Sequence, residues 1–127
     1  MAARRIPALA LLLLAGLVQA EDRAEDRAAA ARAAVEQAIG QPDCSQHAQC
    51  RSLAMGTRAC GGAEFYLAYS TQRSDPERLE KLAAAHRAER KAAHLASGRM
   101  GTCQVLPDPG AHCAPATRLC TLGLPVE

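Results

Sequence analysis

Cys60-Gly61-Gly62-Ala63-Glu64-Phe65-Tyr66-Leu67-Ala68-Tyr69-Ser70, CGGAEFYLAYS, holds every aromatic residue of the chain, one Phe and two Tyr. The double glycine reads as a turn, and the six residues after it read as a strand. Alternation then puts Phe65, Leu67 and Tyr69 on one face and Tyr66, Ala68 and Ser70 on the other. A short helix is the competing reading, with Phe65 and Tyr69 at i, i+4. As a strand, the first face supplies much of a core that is otherwise thin: 49% of the 127 residues are hydrophobic, but 29 are Ala, which buries little apolar area. Tyr66, on the second face, is the candidate partner contact, because Tyr is enriched at interface hot spots.

Upstream, Leu53 and Met55 alternate with Ser52 and Ala54 within residues 49–58, a weaker strand signal. Downstream, the spacing predicts a helix over Pro76 to Ser97. Ser74 or Asp75 caps it, Pro76 takes the first position, Glu77 completes a capping box with Ser74, and Gly98 closes it. Leu79, Leu82, Ala83 and His86 mark its packed face, continued by Ala93 and Leu95. Two further short strands are expected, over residues 100–106 and within 113–122, separated by the turn Pro107-Asp108-Pro109-Gly110. The expected fold class is α+β: a small disulfide-stabilised antiparallel sheet of three or four short strands on one main helix.

The N-terminal end reads as an export signal over residues 1–20. Arg4 and Arg5 precede an apolar run from Ile6 to Val18, and Val18-Gln19-Ala20 is a small-residue site for cleavage after Ala20. The run is shorter than the about 20 apolar residues a membrane span needs, so no span is expected once the leader is removed. Residues 21–42 read as an Ala-rich helical lead. Val35 and Ile39 are its only large apolar residues, so only its last turn is expected to dock, with the rest frayed and projecting. Residues 43–124 are expected to form a single disulfide-bonded domain.

Removing Arg4 and Arg5 from the 15 basic residues leaves 13, equal to the 13 acidic residues. A neutral mature chain without a basic cluster argues against nucleic acid as a partner. The six Cys, at 44, 50, 60, 103, 113 and 120, read as three disulfides in an exported chain. Each contributes about 2–4 kcal/mol, comparable to the net stability of a small domain. The expected pairing sets Cys60 against Cys103, and Cys44 and Cys50 against Cys113 and Cys120 in either order. Abundant Ala and Arg, two Lys and no Asn suggest a GC-rich bacterial genome, hence a periplasmic or secreted location.

The run Cys50-x5-Gly56-Thr57-Arg58-Ala59-Cys60-Gly61-Gly62-Ala63, then Tyr66-Leu67-Ala68-Tyr69-Ser70, a helix after Ser74-Asp75, and Gly98-x4-Cys103 with Cys113 and Cys120, resembles a family of small bacterial exported cysteine-rich proteins. That family is marked by a CGG(P/A)xxYLxYS core. Ala63 stands where the pattern often has Pro, and Arg58 where it often has Lys. The resemblance implies export and disulfide bonding and carries no catalytic residue over.

Few patterns speak for chemistry. Cys44-x2-His47-x2-Cys50, with His112 beside Cys113, has ligand types for zinc, but Cys in an oxidising compartment is far more often bridged. A nucleophilic Cys60 or Cys113 with His86, His94 or His112 as base needs a thiol left out of the even set. Neither Ser70 nor Ser97 sits in a G-x-S-x-G frame, and no phosphate-binding glycine motif occurs. The expectation is a non-enzymatic interaction or inhibitor-type module, without metal or cofactor, whose partner is another periplasmic or extracellular protein. The alternative is a small metal-binding or thiol-dependent enzyme built on the Cys and His residues.

Overall fold

A computed structural model describes residues 8–99 and 101–125, with side chains from residue 15 onward; Arg4 and Arg5 of the expected leader, and Met100, lie outside the described residues. The order is helix α1 (Ala8–Ile39), a 3-10 turn (His47–Gln49), strand β1 (Cys50–Met55), strand β2 (Phe65–Ser70), helix α2 (Pro76–Ser97), and strands β3 (Ala111–Cys113) and β4 (Cys120–Leu122). The fold is α+β, with two helices and two small antiparallel sheets, β1-β2 and β3-β4.

The central β1-β2 hairpin pairs Leu53 with Leu67 and Met55 with Phe65 on one face, and Ser52 with Ala68 and Ala54 with Tyr66 on the other. Two strands alone are marginal in water, so both faces need cover. The first face packs on the helices: Leu53, Met55 and Tyr69 join Val35, Ile39, Leu79 and Ala83 in one buried cluster, flanked by Phe65 and Leu67. On the second face Ala68 packs against a separate cluster made of Cys44, Cys50, Cys113 and Cys120. The expected division of the aromatic stretch into two faces is therefore the observed one, and β2 is a strand rather than a short helix.

Helix α2 spans the expected residues, Asp75 is the cap used of the two expected, and of the face expected to pack Leu79, Ala83, His86 and Ala93 are buried whereas Leu95 stands exposed. The Asp75 carboxylate accepts from the Glu77 N–H, Pro76 opens the first turn, and Gly98 closes the last in the left-handed region. Ser74 turns the other way and is buried. Its hydroxyl donates to the carbonyls of Ala38 and Ile39, satisfying the C-terminal end of α1.

Three expectations need correction. First, α1 is not a frayed, projecting lead; it packs along α2 as a second full helix. Ala24, Ala28, Val35 and Ile39 are buried, and Arg27–Glu89 and Glu25–Arg90 ion pairs tie its charged side to α2. Small side chains let two helix backbones approach closely, so a stripe of Ala can dock a helix with little hydrophobic contrast. Second, the single sheet of three or four strands is two separate two-stranded sheets. Third, residues 101–106 form no strand; the second hairpin is made by Ala111–Cys113 and Cys120–Leu122 instead. Residues 101–106 hold Cys103, which is bridged sideways to Cys60.

Val35 tests the docked helix. Val35→Ala is expected to cost about 2 kcal/mol in chemical denaturation, while Arg23→Ala on the exposed side stays within about 0.5 kcal/mol. Equal small effects would show that α1 does not contribute to the core.

Candidate functional site: a braced loop

The β1-β2 connection is shaped from Gly56 onward. Gly56 has φ +70°, and a Cβ there would collide with the Glu64 carboxylate, so the position needs glycine twice over. Gly61 and Gly62 also have positive φ, and the Arg58 N–H bonds to the Gly62 carbonyl while the Arg58 Nε donates to the carbonyl of Ala63. The opening motif is thus a tightly bonded turn.

Three side chains of α2 hold this turn. Arg90 donates to both oxygens of Glu64, through Nε at 3.0 Å and Nη2 at 3.1 Å. His94 Nε2 lies 2.7 Å from Glu64 Oε1 and 2.9 Å from the Thr57 carbonyl. A carbonyl only accepts, so Nε2 is the protonated nitrogen of His94. His86, 2% exposed, accepts the Gly56 N–H at Nδ1 and sets its ring against the edge of Phe65. Bidentate, charge-assisted bonds of this kind add orientation as well as strength.

Burial alone would raise the Glu64 carboxyl, but the bonds from Arg90 and His94 outweigh it and hold the group below its ordinary value. The same Glu64 bond raises the Arg90 guanidinium. His86 is lowered, chiefly by burial. Glu64 is an ionised carboxylate whose oxygens are both engaged, a poor general base, and no bonded Ser, Thr or Cys nucleophile accompanies it among the described residues. The cluster acts as a clip that fixes residues 56–64 on α2.

The clip leads to a loop. Cys60, at the tip of the turn, is bridged to Cys103. Every residue from Gly101 to Asp108 is exposed, and none lies in a helix or strand. Two further bonds fasten the segment across the second face of β1-β2: the Tyr66 hydroxyl donates to the Leu106 carbonyl at 3.3 Å, and the Ser52 hydroxyl donates to the Asp108 carboxylate. The Ser52 hydroxyl and then the Gly110 N–H hold the Asp108 carboxyl below its ordinary value. Val105 stands 81% exposed between the fastenings. Beside the turn lies a cleft of about 390 Å³ lined by Arg58, Lys91, His94, Leu95 and Arg99, with no acidic residue in its lining.

The six Cys pair as Cys44–Cys113, Cys50–Cys120 and Cys60–Cys103, resolving the order left open for the first two. The sulfur atoms of Cys44, Cys50 and Cys113 lie within 4.8 Å of one another because two bridges stack, not because thiolates converge on an ion. Cys44 and Cys50, the ends of the C-x2-H-x2-C pattern, belong to different bridges, and Cys60 and Cys113 have no thiol with which to attack. Tyr66 is half-buried and bonded to the loop, so its hydroxyl positions the neighbouring segment. Glu64, Arg90 and the loop itself carried no signal as a site in the sequence. Comparison with protein-family models, curated proteins and solved structures returns no match for the chain.

Two expectations test this arrangement. Glu64 and His86 both have folded-state pKa values below their ordinary ones, so the unfolded chain binds the extra proton and stability rises with pH across each window. The His86 contribution is complete above its ordinary value of 6.5 and lost as pH falls through its lowered one. That of Glu64 is complete above 4.5 and lost further into acid. Melting temperature against pH should show both stages, with His86→Gln flattening the upper and Glu64→Gln the lower; unchanged slopes would refute the assignment. Tyr66→Phe should cost under about 1 kcal/mol yet speed amide exchange in residues 101–108, and unchanged exchange would show the hydroxyl does not hold the loop.

Proposed function

We propose that the chain is an exported, non-enzymatic interaction module, inhibitor-like in construction, that uses residues 101–108 as its contact element. The observation that carries this reading is a loop exposed along its whole length yet fastened at three points, by the side chains of Cys103 and Asp108 and by the carbonyl of Leu106. Ordering a loop on binding costs free energy, and a loop ordered beforehand avoids that cost. The apolar contact is supplied by Val105, and by Leu95 at the edge of the basic cleft. Arg58, Lys91 and Arg99 give that cleft its charge, so the partner that fits is a protein with an apolar site rimmed by acidic residues.

Export is part of the proposal. Among the residues of α1 whose side chains are described, 15–20 are all exposed and the first buried one is Ala24, so cleavage after Ala20 leaves the buried stripe of α1 intact. Among the described residues no helix is long and apolar enough to cross a membrane. Three disulfides suit an oxidising compartment such as the periplasm. Grouping with the CGG(P/A)xxYLxYS proteins belongs to the same proposal and agrees with it. All six Cys are bridged, which weighs against the thiol-enzyme alternative.

A photo-crosslinking residue at position 105 tests the contact element in periplasm, with one at Lys81 on the exposed side of α2 as control. A discrete adduct to one protein is expected from position 105 only, and Val105→Asp should abolish co-purification of that protein without lowering the melting temperature. Identical adducts from both positions, or none from either, would overturn the proposal.

A further inference from the structure

The remaining two histidines meet at the β3-β4 hairpin, outside the braced loop. His47, on the 3-10 turn, and His112, on β3, line one cavity of about 230 Å³, with ring centroids 6.2 Å apart, together with Arg118 and Pro115. No carboxylate is in the lining.

Two main-chain bonds decide what each ring offers. The Cys113 N–H donates to His47 Nδ1 at 3.1 Å, so neutral His47 carries its proton on Nε2. His112 Nδ1 lies 2.8 Å from the Gly123 carbonyl, which only accepts, so in neutral His112 the proton is on Nδ1 and Nε2 is an acceptor. The two rings therefore present one donor and one acceptor. Among the described residues neither Nε2 has a protein partner, and Arg118 forms no ion pair. Arg118 is also the one described non-glycine residue with positive φ, 57°. Its N–H bonds to the Ala114 carbonyl, and its carbonyl accepts from Cys44 N–H, so the backbone holds that conformation from both sides.

A metal ion fits this set poorly, because His47 offers an N–H and Arg118 a positive charge. A fully deprotonated oxyanion such as sulfate accepts from His47 and Arg118 but leaves His112 Nε2 facing a lone pair. An oxyanion that keeps one proton satisfies all three groups: its charged oxygens accept from His47 Nε2 and the Arg118 guanidinium, and its hydroxyl donates to His112 Nε2. We propose that this cavity binds a monoprotonated phosphate group, discriminating it from sulfate by the opposed tautomers of His47 and His112.

Titration of the oxidised chain near neutral pH with inorganic phosphate, followed by the ring signals of both histidines, tests the assignment. Saturable shifts of both rings are expected with a dissociation constant on the order of millimolar, and sulfate at least about tenfold weaker. Arg118→Gly should weaken phosphate binding by about tenfold or more while keeping or raising the melting temperature, because glycine adopts the left-handed region without strain. Competition by glycerol phosphate assigns the group to an esterified ligand, and its failure assigns the free ion; either supports phosphate as the class. No saturable shift, equal binding of sulfate, or undiminished binding by Arg118→Gly overturns the proposal.

Discussion

A two-stranded sheet has two faces to cover, and this chain has large apolar side chains enough for one. The β1-β2 hairpin meets that constraint asymmetrically. The helices α1 and α2 close over Leu53, Met55, Phe65, Leu67 and Tyr69, and the other face is closed by sulfur. Cys44–Cys113 and Cys50–Cys120 join segments 69 and 70 residues apart, and their buried sulfur atoms form a second core with Ala68 and Ala111. These bridges act twice, by restricting the unfolded chain and by filling the space where a larger protein would place Leu or Ile. Their two loops nearly coincide, so the entropic part of the second adds little to that of the first. Packing is the stronger reason for having both.

Rigidity then passes outward through charge rather than through apolar contact. Arg90 and His94 fix Glu64, Glu64 fills the space above Gly56, and the turn so formed places Cys60. Each link is short, and the carboxylate at its centre is kept ionised by its partners. The third disulfide differs from the other two in kind. Cys60 and Cys103 are exposed, and what they join is a turn and a loop rather than two pieces of core.

Legibility in the sequence followed local signals. Helix α2 was readable from Pro76 to Ser97 because Asp75, Pro76 and Gly98 punctuate it. Strand β2 was readable because its large side chains alternate. The docking of α1 was hidden, since its stripe of Ala24, Ala28, Ala31, Val35, Ala38 and Ile39 stands out only if Ala is counted as a packing residue. The Glu64 clip was hidden for another reason: Glu64 lies 26 and 30 residues from Arg90 and His94, and no local pattern links it to them. The extra strand expected over residues 100–106 failed because Val105 and Leu106 gave an apolar signal that the fold leaves in solvent. His47 and His112 were visible as chemistry, but which nitrogen each presents depends on main-chain bonds to Cys113 and Gly123.

The three fastenings of residues 101–108 divide the segment into positions that hold it and positions that hold nothing. Cys103 and Asp108 contribute side chains to the fastening, whereas Leu106 contributes only its carbonyl oxygen. Gln104, Val105 and the side chain of Leu106 can therefore be exchanged for others without disturbing either core. The exposed surface of the loop is in that sense uncoupled from the energetics of folding, and its sequence can change at almost no risk to the scaffold.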